Sequence, residues 1–309
     1  MNPRFAIIGP HRRRTGTGPF IAELLRKLGC TVEFWERAEA YRLLDGARPR
    51  PQLDAIAICS PAESHLDYLS AAIGKGIHVF CEKPIVWPSD RACGAFPKLL
   101  QELRKTLDNA FRSRLVVHEN TQWIYTLQQF RRMAGEMPPE HVRQFRCELS
   151  PSAGTPAEMI MECAAHANSL LLELGCRGVE DPWASFDPGG AGRYATLDIG
   201  FLCRNQAGGP VRAEYRFAQQ LRQPRPAAYE VNRRRVERRV DMSGYQLYLR
   251  HGIQEEPMVD PLRSSVEDFL NKLAGKTPYF DAAPGILANS EMSYELLTVC
   301  STMLEAPHA

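Results

Sequence analysis

The chain has 309 residues, enough for one large domain or two of ordinary size, and 44% of them are hydrophobic. With 24% charged residues and a net charge of +2, nothing points to nucleic acid or a membrane surface as an obligatory partner; most cationic residues are Arg, which reads as composition except where they cluster. The nine cysteines form no Cys-x-x-Cys pair, and several sit in apolar runs such as Ile58-Cys59 and Val79-Phe80-Cys81, as small buried hydrophobes of a reducing compartment do. Arg12-Arg13-Arg14 is followed by Phe20–Leu28, whose Glu23, Arg26 and Lys27 exclude the apolar core of an export signal. No stretch reaches the ~18 uncharged apolar residues of a membrane helix, and the expected compartment is the cytoplasm.

In chain order, Phe5–Gly9 is an apolar run ending in glycine. Phe20–Gly29 carries Phe20, Ile21, Leu24, Leu25 and Leu28 at helical spacing and stops at a glycine. Thr31–Trp35 reads as a strand, Asp54–Cys59 as a buried strand, His65–Gly74 as a helix, and His78–Cys81 and Arg114–His118 as strands. Short apolar strands separated by helices predict a parallel sheet covered on both faces, a Rossmann-type doubly wound α/β domain over residues 1–120. Over residues 121–309 the character changes. Ala164–Leu174 predicts a helix, and Tyr194–Cys203, Val211–Phe217 and Tyr245–Leu249 are longer alternating segments, suited to an open, mainly antiparallel sheet. Ser264–Leu273 and Gly285–Leu304 close this α+β domain as helices. Arg233–Arg239 alternates too little for a buried strand and has no interleaved aromatics. It reads as a solvated strand or hairpin, or as a guard for an anionic substrate or a subunit contact, ahead of a nucleic-acid face.

The turn after the first strand places Gly9, Gly16 and Gly18 before a helix N-terminus, where backbone N–H groups can hold a pyrophosphate. A compact Gly-x-Gly-x-x-Gly is absent: His11 occupies the second glycine's place and an insertion separates Gly9 from Gly16. Arg12 and Arg13 offer bidentate contacts to phosphate oxygens, or lie in a solvated loop. At the end of the second strand, Glu36 suits the ribose hydroxyls of NAD, while Arg37 suits the extra phosphate of NADP. The cofactor is therefore NAD or NADP.

The segment from Asp54 to Pro84 is the most specific. One strand ends at Ser60-Pro61, the carboxyl edge at which open α/β sheets bind ligands, and the next ends at Glu82-Lys83-Pro84. Pro84 holds the backbone and biases Lys83 toward an extended conformation. A lysine there would hydrogen-bond a substrate hydroxyl, carbonyl or imine. The succession of Pro61 and His65, Gly74-Lys75-Gly76-Ile77-His78-Val79 and Glu82-Lys83-Pro84 resembles the glucose–fructose oxidoreductase/inositol dehydrogenase (Gfo/Idh/MocA) family over residues 54–84, and more loosely over nearly the whole chain. Ser60, Pro61, His65, Glu82 and Lys83 join the glycines and Glu36 as expected cofactor-binding residues.

The resemblance implies a motif Asp-x-Gly-x-His-x-x-Asp on the first helix of the second half. In Glu162–Ser169, His166 matches the histidine, Glu162 and Ser169 stand for the two aspartates, and Ala164 replaces the glycine. Residues 162 and 166 share a helix face, so Glu162 would orient His166 as an acid/base and Ser169 would meet substrate; the alternative is a surface Glu–His pair or a core histidine. Trp123 and Tyr125, near the place where the family carries a basic residue, would wall the substrate pocket or pack between domains. The function implied is hydride transfer between NAD(P) and a small-molecule carbonyl or hydroxyl (sugar, cyclitol or related ketone or imine), with Lys83, His166 and Glu162 assisting and no metal. The alternative is a non-catalytic dinucleotide- or ligand-binding regulator of the same fold. The family also implies a homodimer or homotetramer.

Overall fold

The computed structural model describes residues 2–9, 16–36, 40–42, 53–89, 93–190, 193–277 and 282–304. The chain divides into two units, Met1–Thr121 with Leu262–Leu287, and Gln122–Pro261 with Ala288–Ala309.

The first unit is built on five parallel strands: β1 (Arg4–Ile8), β2 (Thr31–Trp35), β3 (Ala55–Ile58), β4 (His78–Cys81) and β5 (Val117–Glu119). Their order is β2-β1-β3-β4-β5, so the winding reverses between β1 and β3. β3 is buried along its whole length, because its Ala-Ile-Ala-Ile run faces helices on both sides. One face carries Phe5, Ile7, Ala57 and Phe80 against Ile21 and Leu25 of α1 (Gly18–Lys27) and Val266 and Phe269 of a helix far along the chain. The other is covered by α2 (His65–Ile73), which packs on β3 and β4 and on α3 (Phe96–Arg112).

The second unit contains α4 (Leu127–Ala134), β6 (Gln144–Leu149), α5 (Pro156–Glu173) and strands β7 (Arg177–Asp187), β8 (Thr196–Arg204), β9 (Pro210–Ala218), β10 (Ala227–Val231), β11 (Arg234–Asp241), β12 (Gln246–His251) and β13 (Gln254–Pro257). The sheet order is β13-β12-β11-β10-β6-β9-β8-β7, and only β6 and β9 pair in parallel. Along β9 buried Val211, Ala213, Tyr215 and Phe217 alternate with Arg212, Glu214 and Arg216. α5 packs on β6, β7 and β9, and the Tyr215 hydroxyl donates to Asn168 Oδ1 at 3.0 Å. The open face holds the charged residues.

The doubly wound parallel sheet and the mainly antiparallel second sheet match the expected fold. Arg233–Arg239 lies largely within β11, a mostly solvated strand that forms a hairpin with β10, as expected, and its outward arginines pair with carboxylates: Arg235 with Glu148 at 2.7 Å and Arg239 with Glu255 at 2.6 Å. One feature differs from the sequence reading: the helix expected to close the second domain, α6 (Pro261–Leu273), rejoins the first unit, where Val266 and Phe269, buried to 1% and 0% exposure, complete the β1–β4 core. The last helix, α7, spans Ala283–Leu304.

Candidate functional site

The carboxyl edge of the parallel sheet gathers most of the expected residues. At the reversal between β1 and β3, Gly9 adopts φ +145°, and a Cβ there would stand 2.5 Å from the Cys59 carbonyl oxygen. Only glycine fits this close crossing of backbones. Gly16 and Gly18 lead into α1, whose first turn has no acidic residue and receives Pro19; its N-terminal amides face no negative side chain of that turn. Glu36 follows β2, exposed at the same edge. Arg12, Arg13 and Arg37 lie outside the described residues.

The second cluster surrounds Lys83. His65 is 2% exposed; Nδ1 lies 2.8 Å from the Pro84 carbonyl and Nε2 2.7 Å from the Ser60 carbonyl. It therefore ties the exit of β3 to the exit of β4. Burial lowers its pKa, opposed by those two carbonyls and by Glu82 and Glu63. The neutral ring donates to one carbonyl only, whereas a protonated ring would donate to both. Ser60 Oγ accepts from Ser64 at 2.8 Å, while Pro61 is exposed.

Glu82 is fixed by its own N–H to the Ile58 carbonyl (2.9 Å) and by Asn120 Nδ2, which donates to its Oε1 at 2.7 Å. Asn120 is fully buried, donates its backbone N–H to the Cys81 carbonyl, and leaves Oδ1 as a buried acceptor with no hydrogen bond among the described residues. The Glu119 carboxylate accepts from the Ile85 N–H at 3.4 Å. Lys83 is half-buried at the centre of this clamp, and the Lys83–Pro84 peptide is cis. Cys59 and Cys81, buried beneath, have thiol pKa values pushed well up by burial first and by neighbouring carboxylates second, so they stay protonated and are poor nucleophiles. Asn120 was not among the candidate residues. Its Asn-after-strand position was legible, but a partner 38 residues earlier was not.

In the second unit, α5 carries Glu162, His166 and Ser169. The Glu162 carboxylate accepts from the Ser152 N–H (2.8 Å), the Ser152 hydroxyl (2.7 Å) and the Ala153 N–H (3.2 Å), and lies 3.6 Å from Arg225 Nη1. His166 is half-buried with Nδ1 enclosed by protein. Ser169 donates to the His166 carbonyl at 2.9 Å, a helix back-bond. Trp123 is buried beneath the Arg238 guanidinium, 5.5 Å from its ring centre, and packs edge-on to Tyr229. Tyr125 lies two residues further along the same 3₁₀ segment, Gln122–Thr126. Among the described residues no three His, Cys, Asp or Glu side chains come together as a metal site requires, and no helix is long and apolar enough to cross a membrane.

Residues 28–110 match the sequence profile described as "Oxidoreductase family, NAD-binding Rossmann fold", the Gfo/Idh/MocA profile. Over this segment the chain is similar to the dinucleotide-binding domain of that family. No curated protein sequence matches the chain. Among solved structures, the chain is similar to UDP-N-acetylglucosamine 3-dehydrogenase GnnA from Acidithiobacillus ferrooxidans, with TM-score 0.68 and 19% identity over 98% of this chain and 99% of that one. It is also similar to an inositol dehydrogenase homolog from Azotobacter vinelandii complexed with NADH and myo-inositol (TM-score 0.64, 13% identity, 99% and 96% covered). A third is a putative myo-inositol dehydrogenase from Sinorhizobium meliloti 1021 (TM-score 0.62, 14% identity, 97% and 98% covered). At these identities the likeness establishes a shared fold across both units.

Proposed function

We propose that the chain is an NAD(P)-dependent oxidoreductase acting on a secondary alcohol or the corresponding ketone of a polyhydroxylated small molecule. The observation that carries this reading is the clamp on residues 82–85: Ile58, Asn120, Glu119 and His65 hold the backbone and side chains on both sides of Lys83. A residue held so firmly at the carboxyl edge of a doubly wound sheet is preorganised for a reacting group. The edge also suits the cofactor, since the Gly9 crossing has no space for a side chain, the first turn of α1 presents amides to phosphate, and Asn120 offers a buried acceptor. A nicotinamide dinucleotide, when bound, supplies or accepts the hydride. The ammonium of Lys83 then donates a hydrogen bond to the substrate oxygen and stabilises negative charge developing there. His166 exchanges the hydroxyl proton. His65 acts through the backbone as a positioning residue. Glu36 favours NAD, and Arg12, Arg13 and Arg37 of the sequence keep NADP open.

UDP-N-acetylglucosamine and myo-inositol, named for two of the similar structures, are both polyhydroxylated, which supports that substrate class. The open sheet face of the second unit supports a homodimer or homotetramer.

One observation favours a second reading, a non-catalytic dinucleotide-binding regulator. The Glu162 carboxylate holds Ser152 and Ala153, which ties it to a structural task. The two readings part on a panel of sugars, sugar derivatives and cyclitols offered with NAD and NADP, followed by reduced-nicotinamide absorbance. An enzyme turns over at least one, and Lys83→Ala lowers that rate by about 10²–10⁴-fold while leaving cofactor affinity in place. An unchanged rate in Lys83→Ala removes the role given to that lysine, and no turnover of the whole panel favours the regulator.

A further inference from the structure

The arginines of β11 do not all face the same way. Arg235, Arg239 and their carboxylate partners lie on the open face, whereas Arg238 shares the side of Val236, whose strand partner is Tyr229. There it stacks on Trp123 and donates from Nη2 to the Arg225 backbone carbonyl at 2.5 Å. Among the described residues no carboxylate pairs with Arg238, and its Nε is buried without a hydrogen bond. Arg225 Nε is buried and unsatisfied in the same way, and among the described residues the one carboxylate paired with that guanidinium is Glu162, at 3.6 Å and already engaged by Ser152 and Ala153.

Arg225 thus has one carboxylate that is already engaged, Arg238 has none among the described residues, and a buried cation without its counter-ion is costly. Burial is the main cause pulling the Arg238 pKa down, and Arg225 adds to it; only the fields of Tyr245 and Asp260 oppose. Arg238 also lines a cavity of about 330 Å³ at the end of the sheet, with Arg216, Arg235, Gln219, Gln220 and Tyr194 in its wall. The cavity's carboxylates, Glu148 and Glu237, are paired with Arg235 and Arg250. The volume is at the small end of ligand pockets.

We propose that Arg225 and Arg238, backed by Trp123, are an anion anchor on the second unit that binds a carboxylate or phosphate group carried by the substrate. The guanidinium planes offer bidentate donors to either oxyanion, and Trp123 holds Arg238 in place beneath it. The substrate of the oxidoreductase is then an acidic or phosphorylated polyol, and this rests on the reading under Proposed function. The anchor joins Glu162 of α5 through Arg225, which places it beside the helix that carries His166.

The test is calorimetric titration of the full chain with inorganic phosphate and, separately, with glucuronate, at fixed ionic strength and with NADH present, while tryptophan-to-nicotinamide energy transfer reports NADH binding in the same sample. The anchor predicts saturable binding of at least one probe. Arg238→Gln should weaken it about tenfold or more and Arg225→Gln by a lesser factor, Arg238→Lys should recover part, and Arg212→Gln on the open face should change nothing. Phosphate alone binding assigns a phosphorylated substrate, and glucuronate alone assigns a carboxylate. Circular dichroism separates a misfolded Arg238→Gln from an informative one, and Arg225→Gln then carries the comparison. No saturable binding, or equal binding by wild type and both glutamine variants, overturns the anchor. NADH binding without anion binding overturns the anchor and spares the oxidoreductase reading; anion binding lost in Arg238→Gln without NADH binding does the reverse.

Discussion

In the first unit histidines are packed at the strands beside the Glu82 carboxylate and two cysteines, whereas in the second unit arginine–carboxylate pairs are laid across an open sheet face. His65, His78 and His118 all have pKa values lowered by burial, His118 to about 3. His118 stacks on Phe80 and bonds the Ser265 hydroxyl at 2.9 Å. Being neutral at pH 7, it forms no ion pair with Asp268, 3.8 Å away, which pairs instead with Lys272 at 2.8 Å. In the second unit, Arg235 draws the Glu148 carboxyl below its ordinary value, and Arg146 does the same to Glu214. A parallel sheet covered on both faces favours polar groups with fixed partners, while a one-sided sheet can keep its charges in water. The candidate chemistry follows this division: a hydrogen-bonded edge in one unit and the partly buried Arg225 and Arg238 in the other.

The comparison can be broken first at α6. Phe269→Ala removes a ring that touches Phe5, Phe80 and His118, and should cost about 3–5 kcal/mol. Hydrogen exchange should show protection lost across β1–β5 and retained in β8 and β9. Loss confined to the second unit would show that α6 belongs there. Gly9→Ala comes next. A Cβ 2.5 Å from the Cys59 carbonyl oxygen, at positive φ, should destabilise by roughly 1–3 kcal/mol from backbone strain and weaken dinucleotide binding. Unchanged cofactor affinity would mean that the crossing does not shape the binding edge.

Acid should then separate the two sheets. A buried histidine with a lowered pKa binds its proton more tightly in the unfolded chain, so its contribution is full above its ordinary pKa of 6.5 and is lost as pH falls toward the folded value. His118 alone should give a slope of about 1.4 kcal/mol per pH unit below that point. The carboxylates of the open face act lower, their contribution being lost as pH falls below 4.5. Denaturant melts between pH 7 and 4 check this, with His118→Gln flattening the upper part of the curve; an unaltered slope would contradict the burial account. Least is expected from Arg250→Ala, which breaks an exposed pair with Glu237 and should cost about 0–1 kcal/mol, less at high salt.

These contrasts also explain what the sequence disclosed. The first unit was legible because its strands are short apolar runs and its candidate residues lie at strand ends, in Ser60-Pro61 and Glu82-Lys83-Pro84. In the second unit β8 and β9 were legible by alternation and β11 as a solvated strand or hairpin, but the partners of its arginines were not, since Glu148 and Glu255 lie on β6 and β13, each one strand beyond its neighbours. The i, i+4 spacing of Glu162 and His166 was visible, yet the partners of Glu162 come from residues 152 and 153, which no helical spacing predicts. Nor does a helix pattern say which sheet it covers, hence the different allegiance of α6. The Asn168–Tyr215 bond, spanning 47 residues, is a tertiary fact of the same kind.

The central claim is that the edge formed by Gly9, α1, Ser60 and the clamp around Lys83 holds a nicotinamide dinucleotide. Titrating the full chain with NADH and with NADPH, and following energy transfer from its four tryptophans, tests it directly. Saturable transfer with at least one of the two is the predicted result, and no transfer with either would contradict the account.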